Sequence, residues 1–465
     1  MSQYKTVLIF QKSTAQVFLS ELSKLGFIIC FFFAIISGSA QNSSQQQQQN
    51  KMQWFQDAKL GIFIHWGLYA VNGIDESWSF FNGYISHNDY LEQTRGFTAK
   101  NYNPLVWVDL IKKSGAKYSV ITSKHHDGFA LWDSKLGKLN SKIAAATKKD
   151  VLSPFVDALR REKLKVGIYY SLPDWSYRDY THHTRDSMRY KITDNPKRWK
   201  IFLKYYQGQL EELSKRYKPD LWWFDGDWEH SAAEWEAYKV RQILLNQNPN
   251  TIINSRLKDY GDYATPEQGM PITRPKDKYW ELCMTMNNSW GYQKNDRDYK
   301  SIQQIIGIFT DVISSGGNLL LGIGPKGDGS IPKEQKSILT ELGSWTKKHK
   351  KAIFGTIAGI PKEHFYGATT LSKNKNILYL FVKGNPNGEI VLRGVKNKIN
   401  RIWVVGKGTK LSHKVVGKMY WSHYPGITYI QIPDYTLDKY MTVLAVLLDS
   451  KIDLYREDGA VIESN

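Results

Sequence analysis

The chain has 465 residues, 42% hydrophobic and 14% aromatic, with 63 Lys+Arg against 44 Asp+Glu for a formal charge of +19. That length is ample for a large core spread over two or three domains, and the composition excludes a disordered, collagen-like or disulfide-scaffold protein. Sixteen Trp and 28 Tyr suit stacking on sugars, but bulky rings also fill cores, so composition leaves that choice open.

In chain order, the first feature is an apolar run of 11 residues, Gly26 to Ile36, just after Lys24. A membrane-spanning helix needs roughly 20, so the run reads as the core of a signal peptide over residues 1–40, with Gly38 and Ala40 as small residues before a cut at Gln41. A retained anchor is the alternative. A secreted or periplasmic protein with no stable membrane insertion after cleavage is expected. Of the two cysteines, Cys30 and Cys283, only Cys283 would remain, so burial rather than a disulfide holds the mature chain together. Residues 41–51, rich in Gln, read as a polar low-complexity leader.

From residue 52 to 352 short apolar runs alternate with amphipathic stretches. The runs are Gly61–Gly67, Tyr118–Ser123, Val166–Ser171, Leu221–Gly226, Thr251–Arg256, Tyr279–Met286 and Asn318–Gly324. Near-continuous apolar runs of this length read as buried parallel strands. Between them, Leu152, Phe155, Val156 and Leu159 share a helical face, with Ser153 as the expected cap. Ile302, Ile305, Ile306, Phe309, Val312 and Ile313 make a second stripe. Seven such strands predict a (β/α)8-like barrel with an irregular member. A doubly wound open sheet is the alternative, weakened because no glycine-rich dinucleotide fingerprint follows the first strand.

Over 353–465 the rhythm changes to strands without helical stripes, at Ile377–Val382, Glu389–Leu392, Arg401–Val405, Ile427–Ile432 and Thr442–Leu448. Asn385-Pro386-Asn387-Gly388 supplies turn chemistry for a hairpin between the first two. This predicts a small antiparallel β-sandwich domain.

Barrel active sites form at the carboxyl ends of the strands, which directs attention to His65, His125, His126, Tyr170, Asp225, Arg256, Glu267 and Glu281. An ionised Asp225 at the end of Leu-Trp-Trp-Phe costs several kcal/mol unless paired, so it reads as a nucleophile or base. A structural cap before Gly226 is the bland reading, and Asp227 is the rival residue. His125 and His126 are adjacent, so only a bend at the strand end aims both inward. They suit hydroxyl binding better than metal ligation, because the first strand offers His65 alone. His182 and His183 lie in a polar stretch and read as solvated surface.

Together, FIHWG, ESWSF, SKHHDGFALWDS, GIYYSLPDW, LWWFDG, WELCMT…SWGY and NLLLGIGPKGDG resemble the α-L-fucosidases of glycoside hydrolase family 29, over roughly residues 52–350. The resemblance implies a retaining, exo-acting hydrolase of terminal α-L-fucose on a barrel followed by a β-sandwich. It makes Asp225 the nucleophile and Glu267 the acid/base on a variable loop, with Glu281 as the competitor for that role. His65, His125 and His126 match the hydroxyl-binding histidines. Glu76 and Trp78 fall where the family supplies a Glu-Trp pair, here split by Ser77. Tyr170, Trp223 and Arg256 look like pocket residues, and some of Trp78, Trp223, Phe224 and Trp290 would wall the sugar's methyl group. No metal or organic cofactor is required.

The partner expected is a fucosylated oligosaccharide or glycoconjugate. The basic charge adds sulfated glycans as a candidate class, whereas no nucleic-acid motif appears and Lys is scattered along the chain. The rival functions are a non-catalytic fucose-binding protein on the same scaffold and a metal-dependent hydrolase.

Overall fold

All seven apolar runs become strands of a single parallel sheet. In the computed structural model, which describes residues 48, 50–273, 275–418, 420–421 and 423–456, these are β1 (Leu60–Ile64), β2 (Tyr118–Lys124), β3 (Lys165–Ser171), β6 (Leu221–Asp225), β7 (Ile252–Ile253), β8 (Glu281–Thr285) and β9 (Asn318–Ile323). A small hairpin, β4 (His182–Thr184) with β5 (Ser187–Met188), intervenes. The signal peptide expected over 1–40 and most of the 41–51 leader lie outside the described residues.

The sheet order is β7-β6-β3-β2-β1-β9-β8, every neighbour parallel. The two edges are joined by residues 262–268. Asp262 N donates to Ile253 O and Ser255 N to Tyr263 O on one side. On the other, Ala264 N donates to Tyr279 O, and Cys283 N to Pro266 O. This polar segment completes a (β/α)8-like barrel as its irregular member. It escapes a hydrophobicity reading because Tyr-Ala-Thr-Pro-Glu-Gln lacks an apolar run, and Pro266 has no N–H to give to a ladder.

Helices α1 (Pro104–Lys113), α2 (Leu152–Arg161), α3 (Pro196–Tyr217), α4 (Ala237–Gln247), α5 (Ile302–Ser314) and α6 (Lys333–Ile353) cover the barrel. The α2 stripe is buried as its spacing predicts. Its cap, however, is not Ser153. Asp150 Oδ1 accepts from Leu152 N and Ser153 N, because an anionic acceptor two residues ahead of the first turn satisfies both free donors at once. The α5 stripe is likewise buried, and Ser301 with Gln304 forms a reciprocal capping box.

Beyond α6 lie a six-stranded and a three-stranded antiparallel sheet, forming the β-sandwich. Ile377–Lys383 pairs with Thr369–Leu371 and Met441–Leu448, whereas Glu389–Arg393 pairs with Ile427–Gln431. The expected hairpin across Asn385–Gly388 therefore does not form. That turn carries the chain from one sheet to the other, and the turn residues encode the bend but not the partner. Side chains of Ile377–Lys383 alternate between two cores. Leu378, Leu380 and Val382 pack inside the sandwich, and Tyr379 and Phe381 pack into the core shared with the barrel. Trp345 of α6 seals this seam by donating to Met441 O at 3.0 Å. Among the described residues no helix is long and apolar enough to cross a membrane.

The seam predicts that Phe381→Ala costs about 3–5 kcal/mol, measured by chemical denaturation. A loss below about 1 kcal/mol would mean that the sheet does not lean on the barrel.

Candidate active site

Strand parity sorts the residues at the carboxyl end of β6. Trp223 and Asp225, two residues apart, share the inner face. Trp222 and Phe224 stack on each other (5.8 Å, 7°) on the outer one, so Phe224 is core rather than pocket wall. On β3 the same rule separates Tyr169 from Tyr170. Tyr170, read as a pocket residue, faces the helices and donates to Gln209 Oε1 at 2.8 Å. Its neighbour Tyr169 points inward and donates to Asp225 Oδ2 at 3.1 Å. The sequence Tyr-Tyr carries both possibilities, and only the strand register selects between them.

Asp225 is 13% exposed, and three groups face it. Arg256 Nη1 donates to Oδ1 at 2.9 Å, Tyr169 donates to Oδ2, and His126 Nε2 lies 3.7 Å from Oδ2. The other arm of the same guanidinium, Nη2, donates to Glu267 Oε2 at 2.6 Å. One cation thus grips both carboxylates. Burial opposes the charge on Arg256, and Asp225, Cys283 and Glu267 overcome it, so its pKa is raised. The guanidinium also lies 4.6 Å over the Trp223 ring.

Glu267 sits on the irregular barrel member, its main chain bridged to Cys283. Its Oε1 accepts from Trp290 Nε1 at 3.2 Å, and the side chain is partly open to solvent. Glu281 is fully buried by contrast. It accepts from the Tyr118 hydroxyl and, at 3.2 Å, from Trp223 Nε1. Burial pushes its pKa up to about 8, against these two hydrogen bonds. Glu281 therefore pins Trp223 from beneath, and Arg256 lies on Trp223 from above.

A register irregularity between Thr122 and Lys124 of β2 precedes a turn closed by Gly128 N on His125 O. Such a bulge re-aims the strand end, so both adjacent histidines reach the site. His126 Nδ1 is hydrogen-bonded to Ser171 Oγ at 2.6 Å, and His125 Nδ1 to Ser77 Oγ. Ser77, passed over as a spacer, thus orients His125. His65 stacks on Trp290 at 4.8 Å. Its buried Nδ1 has no hydrogen-bond partner among the described residues, an orphan that a ligand hydroxyl would satisfy. Burial drives the pKa of His126 down to about 3, with Lys124, His65 and Arg256 adding to the effect. His65 and His125 are likewise held well below the ordinary range by burial first, so all three are neutral.

Glu76 is also buried. Its Oε1 accepts from Gly291 N at 2.5 Å, and burial raises its pKa to about 7. It anchors the segment carrying Trp290. Trp78 meets His126 edge-on at 5.5 Å and stacks beside Trp228. His65, Trp78, His125, His126, Trp223, Asp225, Arg256, Glu267 and Trp290 thus converge, with Tyr169 and Ser77 added by the structure. Tyr170 and Glu281 stand behind the site. Among the described residues, the three convergent histidines do not gather with a carboxylate into a metal-sized group.

The α-L-fucosidase family profile matches residues 36–351. The chain belongs to the α-L-fucosidase family. This fucosidase-family chain is 30% identical over 373 residues to the plasma α-L-fucosidase of Homo sapiens, covering 73% of itself and 78% of the relative. Its fold is similar to that of α-L-fucosidase isoenzyme 1 from Paenibacillus thiaminolyticus (TM-score 0.78, 31% identity, covering 87% and 100% of the two chains). It is also similar to a family 29 α-L-fucosidase from Bacteroides thetaiotaomicron trapped as a covalent intermediate with 2-fluoro-fucosyl fluoride (TM-score 0.76, 27% identity, 86% and 96%). The members are glycoside hydrolases.

Two outcomes follow. Tyr169→Phe should lower kcat/KM for an aryl α-L-fucoside roughly tenfold or more, the worth of one hydrogen bond to a charged group. Tyr170→Phe should instead cost about 1–3 kcal/mol of stability by stranding Gln209, with kcat unchanged; the reverse pattern would refute the parity assignment. For Glu281, the folded pKa lies above the unfolded one, so the native state holds the extra proton. Its contribution is greatest below about pH 4.5 and declines as pH rises toward about 8. The melting temperature of the wild type should fall between pH 5 and 8 relative to Glu281→Gln. Parallel profiles would count against a protonated Glu281.

Proposed function

We propose that this chain is a retaining, exo-acting α-L-fucosidase with Asp225 as nucleophile and Glu267 as acid/base. The observation that carries the reading is the single Arg256 guanidinium bonded to both carboxylates at the mouth of the barrel. Retaining hydrolysis requires two such groups roughly 5–5.5 Å apart, and the relative trapped as a covalent intermediate supports the same course here.

In the first step a lone pair of Asp225 forms a bond to the anomeric carbon while the glycosidic carbon–oxygen bond breaks. The departing oxygen takes the proton that Glu267 carries at the outset. In the second step Glu267 removes a proton from water, the water oxygen bonds to the same carbon, and the bond to Asp225 breaks. Two inversions release fucose with its configuration retained. Arg256 and Tyr169 orient the nucleophile and compensate its charge. Neutral His65, His125 and His126 can each meet a sugar hydroxyl as donor or acceptor, His125 and His126 through Nε2 because Ser77 and Ser171 hold their Nδ1. Trp290, between His65 and Glu267, and Trp223 supply aromatic walls for the apolar methyl of fucose.

The substrates proposed are terminal α-L-fucosides of oligosaccharides or glycoconjugates. The net basic charge extends this to sulfated ones, whose cleavage should then decline steeply with added salt. The apolar run at residues 26–36, with Gly38 and Ala40 after it, and the plasma relative support a secreted or periplasmic site of action.

Asp225→Gly should cut kcat about a thousandfold or more, and added azide should restore cleavage with formation of fucosyl azide. Retained activity would refute the nucleophile. Glu267→Ala should lose about 10²–10⁴-fold on substrates with poor leaving groups and far less on activated aryl fucosides. If Glu281→Ala shows that selectivity instead, the acid/base is misassigned. Fucose binding without turnover of any fucoside would favour the non-catalytic alternative.

A further inference from the structure

His182, Glu229 and His230 each bring one ligand atom to within 4.8 Å of the others, the one such trio found among the described residues. The sequence reading leaves His182 and His183 on solvated surface; both are half-buried instead. His182 opens the β4–β5 hairpin, and Glu229 and His230 follow Asp225 by one short turn, Asp227–Glu229. They share a cavity of about 270 Å³ with Thr181, Tyr190 and Glu234.

The donor set is what carries the argument. Two imidazole nitrogens and one carboxylate oxygen are the ligands of a borderline divalent ion such as zinc, whereas calcium and magnesium ask for oxygen alone. At metal–ligand lengths of roughly 2.0–2.2 Å, tetrahedral neighbours lie about 3.4 Å apart. His182 Nδ1 and Glu229 Oε2 already stand at 3.5 Å. The Thr181 hydroxyl sits between the imidazoles, 3.1 Å from His182 Nδ1 and 2.9 Å from His230 Nε2, so both ring nitrogens face one point. Supporting bonds of the kind that orient a metal ligand are in place: Trp175 Nε1 donates to Glu229 Oε1 at 2.9 Å, and the Tyr180 hydroxyl donates to Oε2.

We propose that His182, Glu229 and His230 form a binding site for a zinc-class divalent cation, apart from the hydrolytic carboxylates. The fourth position is open to water or to the Thr181 hydroxyl. Occupancy ties the β4–β5 hairpin to the turn that carries Trp228. Trp228 stacks beside Trp78 at 6.3 Å and meets His126 edge-on at 5.8 Å, so the ion fixes one wall of the site while taking no part in bond cleavage.

The test is isothermal titration of the chelator-treated full chain with zinc chloride, with calcium chloride as the control, and melting temperature as a second readout. One saturable equivalent of zinc that raises the melting temperature, with calcium bound far more weakly, is expected. His182→Ala and His230→Ala should each weaken zinc binding roughly tenfold or more, and the double variant should lose the saturable equivalent and the thermal shift. If circular dichroism shows the double Ala variant unfolded, the double Gln variant is held to the same criteria. Absence of saturable zinc binding to the wild type, or binding unchanged in the folded double variant, would overturn the site. Equal affinity for calcium would overturn the assigned class of ion.

Discussion

An anionic side chain at the end of an apolar strand is the constraint around which this site is built. Asp225 ends a strand of Leu, Trp, Trp and Phe, and burial of its charge without partners would be prohibitive. The compensation comes from one guanidinium and one phenol, and each is itself held. Arg256 lies on Trp223, Trp223 donates to Glu281, and Glu281 accepts from Tyr118. A run of side chains across four different strands and loops thus ends on the Asp225 carboxylate. Preorganisation of this kind is what lets a fixed charge act without rearrangement.

The same logic explains why the histidines are neutral. A carboxylate nearby ordinarily favours the protonated imidazole, yet burial and a second histidine outweigh Asp225 at His65 and His125, and burial with Lys124, His65 and Arg256 keeps His126 neutral. Each is oriented or stacked by a neighbour, Ser77 for His125, Ser171 for His126 and Trp290 for His65. The bulge in β2 delivers two consecutive residues to one side, which a regular strand does not allow.

Much of this was legible in the sequence, because buried parallel strands read as apolar runs and their polar ends fall at the barrel mouth. All seven runs are strands of one sheet, and Asp225, Arg256 and Glu267 come together as a cluster. The failures share a cause: a linear pattern does not carry register or partner. Tyr170 and Phe224 point outward because parity, invisible in a double-aromatic pair, assigns Tyr169 and Trp223 to the interior. The Asn385–Gly388 turn bends the chain without saying which strand it will meet. Ser77 and Asp150 act through hydrogen bonds that no hydrophobic periodicity reports. The barrel's irregular member is polar, so it left no trace of a strand.

That irregular member separates the two acids mechanically. Asp225 terminates a strand flanked by two others, whereas Glu267 rides on a seven-residue ribbon whose ladder ends at Gln268. Residues 269–273 and 275–278, which follow it, belong to no sheet. Among these described residues none donates to or accepts from a barrel strand's ladder, so this stretch can vary while the ladder stays intact. Under the proposed roles, editing that connection would change the room left for differently shaped aglycones while Asp225 and the histidines stay as they are.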